Sequence, residues 1–191
     1  ISARYAKHVA QSHGTRVEVW HLAEHAVNVG QIAEAALTAV STLSARLGPM
    51  PDSVLRIVEL PRWSGFGAFA LRGMVLFPEH RGFMLDARPG GVDLMLRRGA
   101  HEVGHQWWGH LVEPPQAEGS VLLVESLAKD AELVVVGAVH GAAGVDAILA
   151  YDEDRYLVGR ANEGAGEPAL ERLTDEPWLY YSKGSMMMHA R

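Results

Sequence analysis

A chain of 191 residues is long enough for one well-cored domain, or for one domain built as two lobes. Hydrophobic residues at 48% and charged residues at 21% exclude a disordered chain, and a net charge of −6 argues against a nucleic-acid partner, which calls for a basic patch. With no cysteine there are no disulfides and no thiolate ligands, so any metal site must draw on His, Asp or Glu.

The chain opens at Ile1 with no charged-then-apolar leader and stops at Arg191, just inside "GSMMMHA", which reads as the start of a helix. Both ends read as cut, as in a piece of a longer protein, and no compartment can be assigned. "TRVEVWHLAEHAVNVGQIAEAALTAVSTLSARLG" predicts a short strand and then a long helix. Ile32, Ala36, Val40 and Leu43 fall at helical spacing, and Gly48 and Pro51 end the run. "SVLRIVELP" (53–61) predicts a strand, and "GAFALRGMVLFPE" (67–79) one or two more. "RPGG" (88–91) predicts a turn, after which "VDLMLRRGAHEVGHQWWG" predicts a helix running to Gly109, with Pro114 and Pro115 beyond it. The loop "EPPQAEG" leads to Ser120, the expected N-cap of "VLLVESLAKDAELVVVGAVHG". The most apolar stretch, residues 133–150, contains His140, Asp146 and three glycines, which suits a buried helix pair better than a membrane span. "GRANEGAGEP" (159–168) predicts a loop. Strands first and helices second predict an α+β domain with two lobes.

The densest chemistry lies in "HEVGHQWWGH" (101–110). His101 and His105, four apart, leave one face of an α-helix about 40° apart, one turn above the other. Two imidazoles so placed reach one tetrahedral ion at about 2.0–2.1 Å. Glu102 on the flank can touch a water near that ion, which is the H-E-x-x-H arrangement of zinc peptidases with glutamate as general base. A solvated His/Glu helix face is the plainer alternative. Gly104 costs the helix about 1 kcal/mol relative to Ala, a cost that close packing of another element would explain. "HLAEH" (21–25) carries the inverted H-x-x-E-H pattern. It sits at a strand-to-helix junction and reads instead as a helix start with surface imidazoles.

A catalytic zinc takes a third protein ligand and keeps a position open. Glu125 is the candidate: Val121, Leu122, Val124 and Ala128 around it are apolar, which turns its carboxylate inward, where a cation relieves the cost of burying charge. The alternative is an exposed Glu125–Lys129 pair at i, i+4.

"HEVGHQWWGHLV" followed by "LVESLA" resembles the aminopeptidase-N-like family of gluzincins. Nineteen residues separate His105 from Glu125, one more than the commonest spacing in that family, and the extra residue is expected in the "EPPQAEG" loop. "YYSKGSMMM" resembles the family's Y-x-K-G element, whose register selects Tyr181 as hydrogen-bond donor to the developing oxyanion. Apart from that resemblance, Tyr181 reads as an aromatic plug at a loop-to-helix junction. "GPMPDSVLRIVELP" resembles the family's G-P-Y-P segment. "GAFALRGMVLFPE" aligns without a gap on G-A-M-E-N-W-G-L-V-T-Y-R-E, with Gly67, Ala68, Gly73, Val75 and Glu79 matching. The glutamate that grips a substrate's free amino group becomes Ala70, and the asparagine beside it becomes Leu71.

The resemblance implies a thermolysin-like fold, with a mixed lobe (15–87) over a mainly helical lobe (91–191), all within one catalytic-domain fragment, 1–191. It implies Zn2+ held by His101, His105 and Glu125, with Glu102 as general base and Tyr181 at the oxyanion. It also implies a peptide substrate aligned along Gly67, Ala68, Phe69, Ala70 and Leu71. The exchange at Ala70 leaves peptide hydrolysis in place but removes the basis for strict counting from the N-terminus. The implied partners are the peptide and flanking domains of a longer chain. His110, in place of asparagine, resembles bacterial members joined to transporter permease segments, which adds a membrane transporter segment of the full-length protein. The rival expectation is a zinc-stabilised, catalytically weak binding or regulatory module.

Overall fold

The computed structural model describes residues 4–12, 14–64, 67–86, 92–163 and 166–190. The β-branched runs form one five-stranded sheet from β1 (Ala6–Ser12), β2 (Thr15–His21), β3 (Val54–Leu60), β4 (Phe69–Leu71) and β5 (Met74–Pro78), in the order β1-β2-β3-β5-β4. β2, β3 and β5 run parallel, and the edge strands β1 and β4 are antiparallel to their neighbours. The fold is α+β with a mixed sheet. β1 was not expected. It is an edge strand with no buried side chain, so "AKHVAQS" carries no apolar alternation to read.

Helix α1 (Val29–Leu47) returns the chain from β2 to the start of β3. Its predicted apolar stripe is its buried face: Ile32, Ala36, Val40 and Leu43 join Val17, Val19, Leu55 and Ile57 of the sheet in one core. Each fully buried Ile or Leu contributes about 1.5–3 kcal/mol. α2 (Leu94–Gly104) adds Met95, Leu96, Ala100 and Val103 to that core. The Asp93 side chain caps α2, accepting from Leu96 N–H at 3.0 Å.

Several boundaries differ from expectation. α2 ends at Gly104, not Gly109, because the chain tightens: Gln106 N–H bonds Val103 O at 2.9 Å and Trp107 N–H bonds Gly104 O at 3.1 Å, each three residues back. Gly109 then takes φ 113, a left-handed conformation that suits glycine. Ser120 does not cap the next helix; its hydroxyl donates back into the loop, to Pro115 O and to Ala117 O at 2.7 Å. α3 (Leu127–Asn162) runs on into the segment expected as a loop from residue 159. The "RPGG" turn lies outside the described residues.

The apolar run within α3 divides at Gly141, whose φ of 66 and ψ of −164 break the helix into the expected pair. The pair is less buried than expected, with 28% of its most apolar window covered. By length and hydropathy Leu122–Asn162 meets the measure of a membrane span. Its inner face, however, carries Lys129, Glu132 and Asp152, all buried, and these dock on Arg97 of α2. Lys129 Nζ lies 2.7 Å from Glu132 and 2.9 Å from Asp152, and Arg97 Nε lies 2.6 Å from Glu132. These four charges fix the two helices against each other. α4 (Gly184–His189) closes the described chain.

Candidate functional site

His101 and His105 leave the last turn of α2 one above the other, with ring centres 4.8 Å apart. Gly104 lies between them at a close approach of the helices: a Cβ there would lie 3.1 Å from Ala131 Cβ and 3.4 Å from the Ala128 backbone, so it would press α3 back by a few tenths of an ångström from the face of α2 that carries the two histidines. The tight turn after α2 brings Trp108 O to 3.1 Å from His105 Nδ1. That carbonyl holds the proton on Nδ1 and leaves the Nε2 lone pair facing the site.

Glu125 enters from a wide π turn, Leu122–Ser126, at the head of α3. Such turns concentrate at functional sites because they re-aim a side chain. A π turn takes up one residue more than an α turn. A second π turn, Trp178–Lys183, carries Tyr181. Ser126 Oγ, fully buried, donates to Tyr180 O at 2.8 Å and ties the two turns together.

Three donor atoms converge. Glu125 Oε2 lies 3.3 Å from His101 Nε2 and 3.5 Å from His105 Nε2, and the three ligand atoms fall within 4.8 Å of one another. Neither close contact has hydrogen-bond geometry, so Glu125 Oε2 is a buried acceptor with no hydrogen bond. Two atoms each about 2.0–2.1 Å from one tetrahedral zinc stand about 3.3–3.4 Å apart. Both Glu125 separations are close to that value, and the unsatisfied oxygen is what a cation would satisfy. The residues present fit the ion.

The surrounding charges have identifiable effects. Burial alone would raise the Glu125 pKa, but the two imidazoles outweigh it and hold the carboxyl well below its usual range. Burial would lower the His105 pKa, and Glu125 beside it raises it instead. Glu102 is buried, and desolvation pushes its pKa up despite the two histidines, making it a stronger base than a surface glutamate. Tyr181 lies with its ring centre 5.7 Å from that of His101. Burial first and the Glu125 charge second raise its pKa far above the ordinary phenol value, so it stays protonated and able to donate.

Sequence reasoning missed two residues here, and gave a third, His110, no role in the site. Glu132 Oε2 stands 3.8 Å from His101 Nδ1, behind the ring, and is fully packed in. It follows Glu125 by two helical turns, the one signal that pointed to it. Gln106, buried, donates to Leu71 O at 3.0 Å and accepts from Gly73 N–H at 2.8 Å, which ties the β4 hairpin to the end of α2. His110 Nε2 lies 3.2 Å from Ala70 O.

The expected substrate strand is β4 at the sheet edge, with Phe69 and Leu71 exposed and Ala70 buried. Gly67 and Ala68 line a cleft with His101, Glu102 and Tyr181. The Ala70 carbonyl meets His110, so that acceptor is engaged within the chain. "HLAEH" is not a pair of surface imidazoles. His21 ends β2 and is buried, its Nδ1 2.7 Å from Leu22 O, whereas His25 pairs with Glu59 and lies 3.9 Å from Glu79. His21 ends β2 and His25 lies in the separate 3-10 turn Ala23–His25, so no α-helix carries both rings one turn apart.

No protein-family model and no curated protein matches this sequence. Among solved structures the chain is similar to the M1 zinc metallopeptidase from Deinococcus radiodurans. The TM-score is 0.64 at 22% identity, covering 97% of this chain and 40% of that one. A point mutant of the same protein matches equally. The likeness is one of fold, and the chain spans about 40% of the length of the structures it matches.

Proposed function

We propose that this chain is the zinc-binding catalytic portion of a peptidase, thermolysin-like in its two-lobed arrangement and part of a longer protein whose flanking domains wall the cleft. The observation that carries this reading is the convergence of His101 Nε2, His105 Nε2 and Glu125 Oε2, at 3.3 and 3.5 Å, beside a buried Glu102 and a Tyr181 ring centred 5.7 Å from that of His101. The likeness of fold to a zinc metallopeptidase supports it.

His101, His105 and Glu125 would hold the ion. Zinc bound there supplies Lewis-acid activation of the scissile carbonyl and of the attacking water. Glu102 accepts the proton that the water loses as its oxygen bonds to the carbonyl carbon. It then delivers that proton to the departing amine nitrogen as the C–N bond breaks. The Tyr181 hydroxyl donates to the carbonyl oxygen as negative charge builds on it. The segment Gly67–Leu71 aligns the substrate backbone along the cleft. Ala70 offers no carboxylate to a free amino terminus, so aminopeptidase counting is not part of the proposal.

The test compares peptide turnover by the zinc-loaded full-length protein with that of Glu102→Gln, alongside zinc content. Expected is a loss of about 10²–10⁴-fold in turnover with zinc retained. Equal rates in both proteins, or no hydrolysis of any peptide in a broad library, would overturn the reading.

A further inference from the structure

The chain is acidic overall, at −6, yet the cleft beside the three donor atoms is walled by cations. This cavity of about 320 Å³ runs from Gly67 and Ala68 past His101, Glu102 and Tyr181 to Tyr151 and Arg155 on α3. Two of its cations, Arg97 and Lys129, are neutralised by Glu132 and Asp152. The other three are Arg81, Arg98 and Arg155, and among the described residues no carboxylate pairs with any of them.

Their surroundings show uncompensated positive charge. Arg98 is half-buried and donates from Nη1 to Arg81 O at 2.8 Å, a backbone contact that leaves both guanidinium charges unpaired. Arg155 is half-buried and stands 5.9 Å from the centre of the Tyr151 ring, which Arg97 covers at 4.5 Å. Burial and the neighbouring Arg81 and Arg97 charges lower the Arg98 pKa. Like charges held together in a partly dry cleft are relieved by an incoming anion, and a guanidinium fork matches a carboxylate in geometry.

We propose that Arg98, with Arg81 and Arg155, receives a substrate carboxylate, so that the cleft selects peptides carrying one near the bond placed over the metal site. This rests on the peptidase reading of the same cleft. It replaces the missing amine grip at Ala70 with recognition of the opposite sign. The carboxylate comes either from an acidic side chain or from a free carboxyl terminus.

The test is calorimetric binding to the zinc-loaded full-length protein carrying Glu102→Gln, which reads affinity without turnover. Four short peptides of one length are compared: glutamate-containing with an amidated end, neutral with a free carboxyl end, neutral amidated, and lysine-containing amidated. Expected is at least about tenfold tighter binding of the first or the second over the neutral amidated peptide, weakening as salt rises. The first as winner names the side chain as the source, and the second names the terminus. Adding Arg98→Gln should cut the acidic-to-neutral affinity ratio about tenfold, and Arg98→Glu should turn the preference toward the lysine peptide. Arg155→Gln provides a second variant should Arg98 prove necessary for folding.

Equal affinities, no binding by any of the four, or tightest binding of the lysine peptide overturns the inference. Turnover by the unmutated protein separates the two proposals. Charge-selective binding without hydrolysis removes the peptidase reading and leaves the arginine cleft, whereas hydrolysis indifferent to charge does the reverse.

Discussion

His25 and Glu59 form an ion pair beneath the sheet end, with Glu79 3.9 Å away. The Glu59 hydrogen bond raises the His25 pKa, burial opposes it, and the charges of Glu59, Glu79 and Glu24 add to the rise. A folded value above the unfolded value of about 6.5 gives stability that is complete below that pH and is lost as pH climbs through the folded pKa. Melting curves of Glu59→Gln should therefore show a loss of about 1–2 kcal/mol at pH 5.5 that shrinks markedly by pH 9. A loss independent of pH would mean that the charge on His25 contributes nothing. This pair was not legible in the sequence, because His25 and Glu59 are brought together only when β2 and β3 align. His101, Glu102 and His105 were legible because their relation is local, one helical turn. Glu132 belongs to the first kind: its meaning depends on α3 lying behind His101.

α2 and α3 pass close to each other at Gly104, which carries no side chain. Gly104→Ala improves helix propensity by about 1 kcal/mol, but the added Cβ lies 3.1 Å from Ala131 and presses on the helix that carries Glu125. Separation of the helices should outweigh the propensity gain at the site. Chelator competition is expected to show zinc affinity falling about tenfold, in line with losses on disturbing the surroundings of metal ligands. A more stable variant with unchanged affinity would show that the helices can yield. The elements themselves were readable where one face is buried, as with the stripe Ile32, Ala36, Val40 and Leu43. They were unreadable where tertiary bonds decide. The tightening after Gly104 depends on Gln106 reaching the β4 hairpin and on Trp108 O reaching His105, and neither contact is encoded within the helix. The π turns at Glu125 and Tyr181 are held by Ser126 bonding across to Tyr180, another contact between distant segments.

Across the whole molecule, one mixed sheet with α1 and α2 forms the base on which the donor atoms are fixed, and α3 brings the third donor over it. The buried quartet Arg97, Lys129, Glu132 and Asp152 ties α2, which carries the two histidines, to α3 just beyond Glu125. An ion that binds the folded chain alone adds stability as its concentration rises, about 4 kcal/mol at a thousandfold excess over Kd. The order of strands then helices made the α+β class readable from the sequence, whereas the edge strand β1, with no buried side chain, left no trace in the apolar pattern. On the proposed reading His101, His105 and Glu125 bind one zinc ion, and diffraction from zinc-loaded crystals on both sides of the zinc absorption edge decides whether they do. The expected result is a strong anomalous peak about 2.0–2.2 Å from His101 Nε2, His105 Nε2 and a Glu125 oxygen. A metal-replete crystal with no peak among these three atoms, or with Glu125 turned away from both rings, would contradict it.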